Sequence, residues 1–237
     1  MTTHPLQCRG LVVTFPDGPG RRTILDGLDL DLAAGELVTI SGDSGSGKST
    51  LLAVAGLLRR SDAGEVVVAG TETAGLSERR RTALRRDHIA FVYQSANLLP
   101  SLTALEQLQL VGHIRGQRPA STRARAQALL DELGLGERSH QLPAELSGGE
   151  RQRVGIARVL MSDPDVLIAD EPTASLDPAR ASSVGELLAS AAHERGIATL
   201  VVAHDDVTRR HADRHLRLED GVLHEVDATQ VGAGAAG

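Results

Sequence analysis

The rhythm of apolar and polar positions changes several times along the chain. Residues 11–15 and 24–32 carry short alternating or continuous apolar runs, and Pro16-Asp17-Gly18-Pro19-Gly20 between them is rich in turn formers. The two runs therefore predict strands joined as a hairpin. Residues 36–41 predict a third strand that leads directly into Gly42-Asp43-Ser44-Gly45-Ser46-Gly47-Lys48-Ser49-Thr50 and then into the helical Leu51, Leu52, Ala53, Val54 and Ala55. Residues 66–68 and 89–93 predict further strands, with Ser77 placed to cap a short arginine-rich helix between them. Those arginines read as a solvated face.

From about residue 95 to residue 160 the period becomes helical, with Thr103-x-x-Glu106 as a capping box and Ala126, Leu129, Leu130 and Leu133 at helical spacing. Strand texture returns at residues 166–169. Asp177-Pro178 supplies an N-cap and a first-turn proline, Gly196 ends that helix, and residues 198–203 predict another strand. Strand alternating with helix implies a parallel sheet, so the expectation is α/β, with a helical lobe inserted into the sheet domain. One domain is expected over 1–227. The tail, 228–237, has too little large apolar surface to pack and is expected to be disordered.

Composition narrows the function. With 237 residues, 41% apolar and 24% charged, the chain suits one compact domain. Its 25 basic and 31 acidic residues give a formal net charge of −6, which lacks the basic balance of a nucleic-acid binder. No nucleic acid is expected as partner. The single cysteine, Cys8, cannot form an internal disulfide and fits a reducing compartment. No apolar stretch precedes it, so the start reads neither as a signal peptide nor as a lipid anchor. The longest apolar runs fall far short of the roughly 18–20 residues that cross a bilayer, so a membrane role would come through a partner.

Lys48 is the only lysine among the 25 basic residues, and it falls inside Gly42 to Ser49, a match to G-x-x-x-x-G-K-[ST] after a strand and opening a helix. With lysine this rare, a chance match is on the order of one in a thousand. Glycines let the backbone curl around a phosphate with its N–H groups inward, and the helix N-terminus adds positive potential. Lys48 would neutralise β- and γ-phosphate oxygens, and Ser49 would bind Mg²⁺.

Residues 166–169 end in Asp170-Glu171. An apolar strand delivers such acids to the sheet edge where ligands bind. Asp170 would then hold Mg²⁺ through water, and Glu171 is placed to orient or deprotonate the attacking water. Acids after a strand also simply cap the following turn, and the phosphate loop is what tips the balance toward chemistry. Leu146-Ser147-Gly148-Gly149-Glu150 likewise reads as a capping box opening a helix, with Ser147 as N-cap and Glu150 as N3. The box leaves two first-turn glycines unexplained, each weakening the helix by up to ~1 kcal/mol. Bare N–H groups there make a second phosphate site.

Together these motifs resemble the ATP-binding-cassette ATPases. The glycine loop resembles their Walker A, LSGGE their signature, residues 166–170 with Glu171 their Walker B, and Ser175-Leu176-Asp177 their D-loop; Gln94 and His204 resemble the Q-loop glutamine and the switch histidine. The resemblance implies a P-loop NTPase with a RecA-like parallel-sheet core, an N-terminal antiparallel β subdomain and an inserted helical subdomain at about 95–160. It also implies ATP and Mg²⁺, a head-to-tail homodimer on ATP binding, and an integral-membrane permease that keeps the subunit peripheral on the cytoplasmic face.

On the same ground, Ser147, Gly148 and Gly149 would act in trans, with Glu150 and Asp177 counted at the nucleotide. Gln94 would touch Mg²⁺ or the water, and His204 would bond the γ-phosphate. Phe15 stands where members of the family stack an aromatic on adenine, although its apolar neighbours equally suit a core position. Residues 91–94 with Leu98-Leu99-Pro100 and Leu102 to Glu106 are similar to the lipoprotein-release and macrolide-export group of that family. A non-transport cassette ATPase of DNA repair or translation is the alternative, and a P-loop kinase would leave Ser147 to Glu150 and His204 unexplained. The transported molecule is not encoded in this chain.

Overall fold

A computed structural model of the chain describes residues 4–203 and 205–226. Its elements, in chain order, are β1 (Leu6–Asp17), β2 (Gly20–Leu32), β3 (Leu37–Ser41), α1 (Lys48–Ala55), β4 (Ala63–Val68), β5 (Thr71–Glu72), α2 (Glu78–His88), β6 (Ile89–Tyr93), α3 (Ala104–Ile114) and α4 (Pro119–Glu132). There follow α5 (Gly148–Leu160), β7 (Val166–Asp170), α6 (Pro178–Arg195), β8 (Ala198–Val202), α7 (Asp206–Arg209), β9 (Arg214–Glu219) and β10 (Val222–Glu225).

They form two sheets. An antiparallel sheet of four strands runs β2-β1-β4-β5, and a sheet of six runs β10-β9-β3-β8-β7-β6. In the larger sheet β9, β3, β8, β7 and β6 are parallel, and β10 returns antiparallel to β9. The β1–β2 hairpin is longer than the apolar pattern implies: Asp17 pairs with Gly20, so the connection is only Gly18-Pro19. Ser77 and Thr103 cap α2 and α3 through their side chains, and the Thr103–Glu106 box is complete. The sequence pattern missed the short β5, the one-turn α7 and the terminal β9–β10 hairpin.

Side-chain alternation along the central strands sorts the core into two layers. Val166 and Ile168 of β7, with Leu200 and Val202 of β8, pack toward α1 and the antiparallel sheet. Leu167 and Ala169, with Val201, pack toward the helices, where Leu105, Leu108, Leu129, Leu130 and Ile156 fill the interior. Strands β3, β7 and β8 are buried almost throughout. Their C-terminal ends therefore present the loop that carries Gly42 to Gly47 and the one that carries Glu171 along one edge, as open parallel sheets require.

Where β4 crosses the irregular stretch of β1, Gly64 adopts φ +82°, and a Cβ there would lie 2.3 Å from the Gly10 carbonyl oxygen. Gly64→Ala should lower stability by about 1–3 kcal/mol. The measurement is a urea midpoint at unchanged m-value, and an unshifted midpoint would contradict the close approach.

Candidate nucleotide-binding site

The loop after β3 is built around three left-handed glycines, Gly42, Gly45 and Gly47, with φ of +148°, +81° and +107°. A Cβ on Gly42 would lie 2.6 Å from the Leu218 carbonyl oxygen, and one on Gly47 2.8 Å from the Ile24 side chain. These contacts keep the loop bare and press it against β2 and β9. Helix α1 begins at Lys48, with Gly47 as an N-cap that offers no side chain and with no acidic residue in its first turn. The N–H groups of that turn have no partner within the helix and supply partial positive charge.

Lys48 is 8% exposed, and its Nζ donates to the carbonyl oxygens of Gly42 and Asp43, each at 2.8 Å. The ammonium is thus held across the loop it terminates. The Ser46 hydroxyl is buried with no hydrogen-bond partner among the described residues. Positive potential, a preformed cradle and an unpaired hydroxyl suit a polyphosphate.

A cavity of about 340 Å³ opens beside this loop, lined by Phe15, Ile24, Ser44, Gly45, Gly47, Lys48, Ser49, Thr50 and Glu171. Phe15 is partly buried against the core, and the Arg59 guanidinium lies 4.0 Å over its ring. It is therefore both a packing residue and a wall of the cavity. Asp43 and Ser46 line a second depression of about 590 Å³, with Ile24, Ser44 and Gly45 shared between the two.

The acidic pair ends β7. Asp170 pairs with Tyr93 and Val202 on its neighbouring strands. Burial raises its carboxyl above the usual carboxylate range, the adjacent Glu171 charge adds to this, and Lys48 opposes it. Lys48 and Asp170 are therefore within electrostatic reach of each other. Glu171 takes a left-handed φ of +48°, and its N–H donates to the Val202 carbonyl at 2.9 Å. A non-glycine residue in that region stores about 1–3 kcal/mol of strain, and Glu171 in this conformation lines the cavity at Lys48, whereas Asp170, one residue earlier, is not among its walls. A hydroxyl at Ser49 and two close carboxylates fit a divalent cation beside phosphate oxygens.

The remaining expected site residues gather elsewhere in the chain. Ser147 is exposed and caps α5: its Oγ accepts from the Glu150 N–H at 3.3 Å, and Glu150 accepts the Ser147 N–H at 2.7 Å. That bond, more than the Arg138 guanidinium at 3.2 Å, holds the Glu150 carboxyl below its ordinary value. Gly149 is buried, and a Cβ on it would come within 3.2 Å of Arg180 on α6. Gln94 donates to the Ser175 hydroxyl at 3.3 Å and, with Gly148, lines a cavity of about 640 Å³ that shares no residue with the one at Lys48. Asp177 caps α6, accepting the Arg180 N–H at 3.0 Å. Gln94, Asp177 and the signature residues are thus not among the walls of the phosphate cavity, and His204 lies outside the described residues.

Sequence reasoning missed two links. Gln152, 4% exposed, donates to the Tyr93 carbonyl at 3.0 Å and ties α5 to the strand that precedes Gln94. Asp205 accepts the Thr173 hydroxyl at 2.6 Å and the Thr208 N–H at 2.7 Å, joining the segment after Glu171 to the segment after β8. The Asp-x-x-Thr spacing signals the cap at α7, whereas its bond to Thr173 crosses 32 positions.

Residues 25–174 match the family model described as ABC transporter. The "Lipoprotein-releasing system ATP-binding protein LolD" of Nitrobacter hamburgensis is 48% identical over 213 residues, covering 90% of this chain and 92% of the relative. A second such protein, from Caulobacter vibrioides, is 44% identical and covers 94% and 98%. Among solved structures, a dimeric post-hydrolysis state of the ATP-binding cassette MJ0796 bound to ADP and Pi superposes with a TM-score of 0.83 at 35% identity, covering 94% of this chain and 98% of that one. The cbiO1 subunit of Clostridium perfringens, described as part of a cbiONQ complex, superposes at 0.86 with 28% identity, covering 98% and 92%.

Proposed function

This chain belongs to the ABC transporter family, and from that premise we propose that its ATP site is composite, completed only when a second copy is docked head to tail. The chain is an ATP-binding and ATP-hydrolysing subunit that works with a separate membrane permease. Among its described residues no helix is long and apolar enough to cross a membrane, and we place the subunit on the cytoplasmic face through that permease. Its likeness to LolD-type relatives, 43–48% identical, supports a place in the lipoprotein-release group. We assign residues 1–227 to one ATPase domain, with its helical part at about 95–160, and the tail expected beyond it lies outside the described residues.

The observation that carries the composite site is the separation of its two halves. Lys48, Ser49 and Glu171 line one cavity, and Gly148 lines another that shares none of its residues. Within one copy, an ATP held by Lys48 has no signature backbone over its γ-phosphate. A second copy turned head to tail would bring Ser147, Gly148 and Gly149 to that phosphate, and its Asp177 to the same seam. The dimeric relative holding ADP and Pi supports this arrangement.

In that pocket the first-turn N–H groups of α1 and Lys48 hold the phosphates, and the Phe15 ring offers a flat apolar wall for the base. Ser49 and Asp170 would hold Mg²⁺, which supplies neutralisation of phosphate charge, and Gln94, which lines the cavity beside Gly148 in its own copy, is assigned to the ion from the family resemblance alone. Glu171 accepts a proton from the water that attacks the γ-phosphorus as the bond to the β-γ bridging oxygen breaks, and ADP and phosphate are released. His204 is assigned to the γ-phosphate by its place after β8.

Replacing the lysine tests the phosphate cradle. Lys48→Ala should weaken ATP binding on the order of 10- to 100-fold, the loss of a charge-assisted contact, as read by fluorescent-nucleotide titration. Wild-type affinity in that variant would remove Lys48 from the site.

A further inference from the structure

The wall that Phe15 gives the nucleotide cavity is held by a residue outside that cavity. Strand β1 pairs with β4 only as far as Val12, opposite Ala63, and its register against β2 shifts between Val13 and Thr14. Shifts of this kind re-aim the side chains beside them. Beyond Val12 the loop after α1 takes the place of a neighbouring strand. The Asp62 N–H donates to the Val12 carbonyl at 2.8 Å, the Asp62 carboxylate accepts the Thr14 N–H at 2.7 Å, and Arg59 Nη2 donates to the Thr14 carbonyl at 3.4 Å. On that edge, the stretch that carries Phe15 is therefore held by side chains of the loop.

Arg59 does more than close this edge. Its guanidinium carbon lies 4.0 Å from the centre of the Phe15 ring, over one face, and its Nε is buried. Attraction between a cation and a ring strengthens when the cation is withdrawn from water. Arg59 is not among the walls of the cavity that Phe15 lines, so the ring reaches that cavity by a side the guanidinium leaves open. The backbone of Arg59 is fixed as well: its N–H donates to the Ala53 carbonyl of α1 at 2.9 Å, and its own carbonyl accepts Arg81 at 3.0 Å. Helix α1 is the one that Lys48 opens. Arg59 thus ties the body of the phosphate-binding helix to the ring of Phe15.

We propose that Arg59 is a positioning residue for the base of ATP. It covers one face of Phe15 and fixes the ring relative to the phosphate loop, so that the base meets a wall already in place. This role presupposes Phe15 as the wall for the base and goes one step further out, to the residue that holds that wall. Ordering a mobile side chain on binding consumes part of the affinity, and a supporting contact that locks its rotamer beforehand recovers it. The phosphates, held by Lys48 and the first turn of α1, gain nothing from the Arg59 side chain.

The full chain is titrated by calorimetry with MgATP and, separately, with magnesium tripolyphosphate, which carries the phosphates without the base. Arg59→Ala should bind MgATP roughly 3- to 10-fold more weakly, the scale of one well-placed aromatic contact, and bind tripolyphosphate as the unmodified chain does. Arg59→Lys, which keeps a cation beside the ring, should recover most of the loss. Phe15→Leu should weaken MgATP by a similar or larger factor, and adding Arg59→Ala to it should change little further. If the alanine variant fails to fold, Arg59→Gln takes its place with the same expectation. Equal losses for MgATP and tripolyphosphate would make Arg59 a support of the phosphate loop and overturn the proposal. So would fully additive losses in the double variant, or unaltered MgATP binding in Arg59→Ala beside a weakened Phe15→Leu. Unaltered MgATP binding in Phe15→Leu would instead remove the base wall itself, and the role of Arg59 with it.

Discussion

Glu171→Gln is expected to bind MgATP as the unmodified chain does and to hydrolyse it roughly 10²- to 10⁴-fold more slowly, the usual contribution of a positioned general base. The amide matches the carboxylate in size, so the left-handed turn at φ +48° and the N–H bond to Val202 remain. What is lost is the ability to take a proton from the attacking water, while Lys48, Ser49 and the first turn of α1 stay in place. ATP should then close the dimer without reopening it, so light scattering should show a persistent species of twice the monomer mass. Hydrolysis at the unmodified rate would remove Glu171 from the base role and leave it a turn residue.

Ser147→Arg is expected to have the other large effect, for a different reason. Ser147 is exposed at the start of α5, and its hydroxyl does no more within its own chain than cap that helix. Losing the cap costs about 0.5–2 kcal/mol, small against the roughly 5–15 kcal/mol that holds a domain together. A long cation at this position would instead clash with the phosphate loop of the opposing copy. Nucleotide binding by the monomer should survive, ATP-dependent dimerisation should vanish, and turnover should fall roughly 10²- to 10³-fold, the scale seen when donors to a transition state are removed. A dimer of normal affinity in this variant would place the signature away from the interface.

Local chemistry makes most of the candidate site legible in the sequence. The glycine loop, Lys48 and the start of α1 are contiguous, so a strand, a turn that tolerates only glycine and an uncapped helix fix one another within fifteen residues or so. The boxes at Thr103 and Ser147 close over three residues, and both formed. The parallel core followed from strand and helix alternation, because a strand buried on both faces has few ways to be read.

What escaped depends on partners far along the chain or on weak patterns. In β9 only Leu216 and Leu218 are buried, interleaved with exposed Arg217 and Glu219, and the strand exists because it pairs with β3 across some 176 positions. A usable signal was present in Asp220-Gly221, whose φ values of +46° and +81° are those of a tight hairpin turn. The Arg59–Phe15 stack joins residues that no periodicity connects. Asp177 shows a different limit: its capping of α6 is visible in one chain, and its assignment to nucleotide depends on a copy the single chain does not contain.

Specific ATPase activity measured across a wide range of protein concentration, with mass followed by light scattering in the same samples, addresses the composite site most directly. Activity per chain should climb with the dimer fraction and approach zero where only single copies remain. Undiminished turnover per chain in solutions holding only monomer would show that one copy builds a complete active site and would contradict the account.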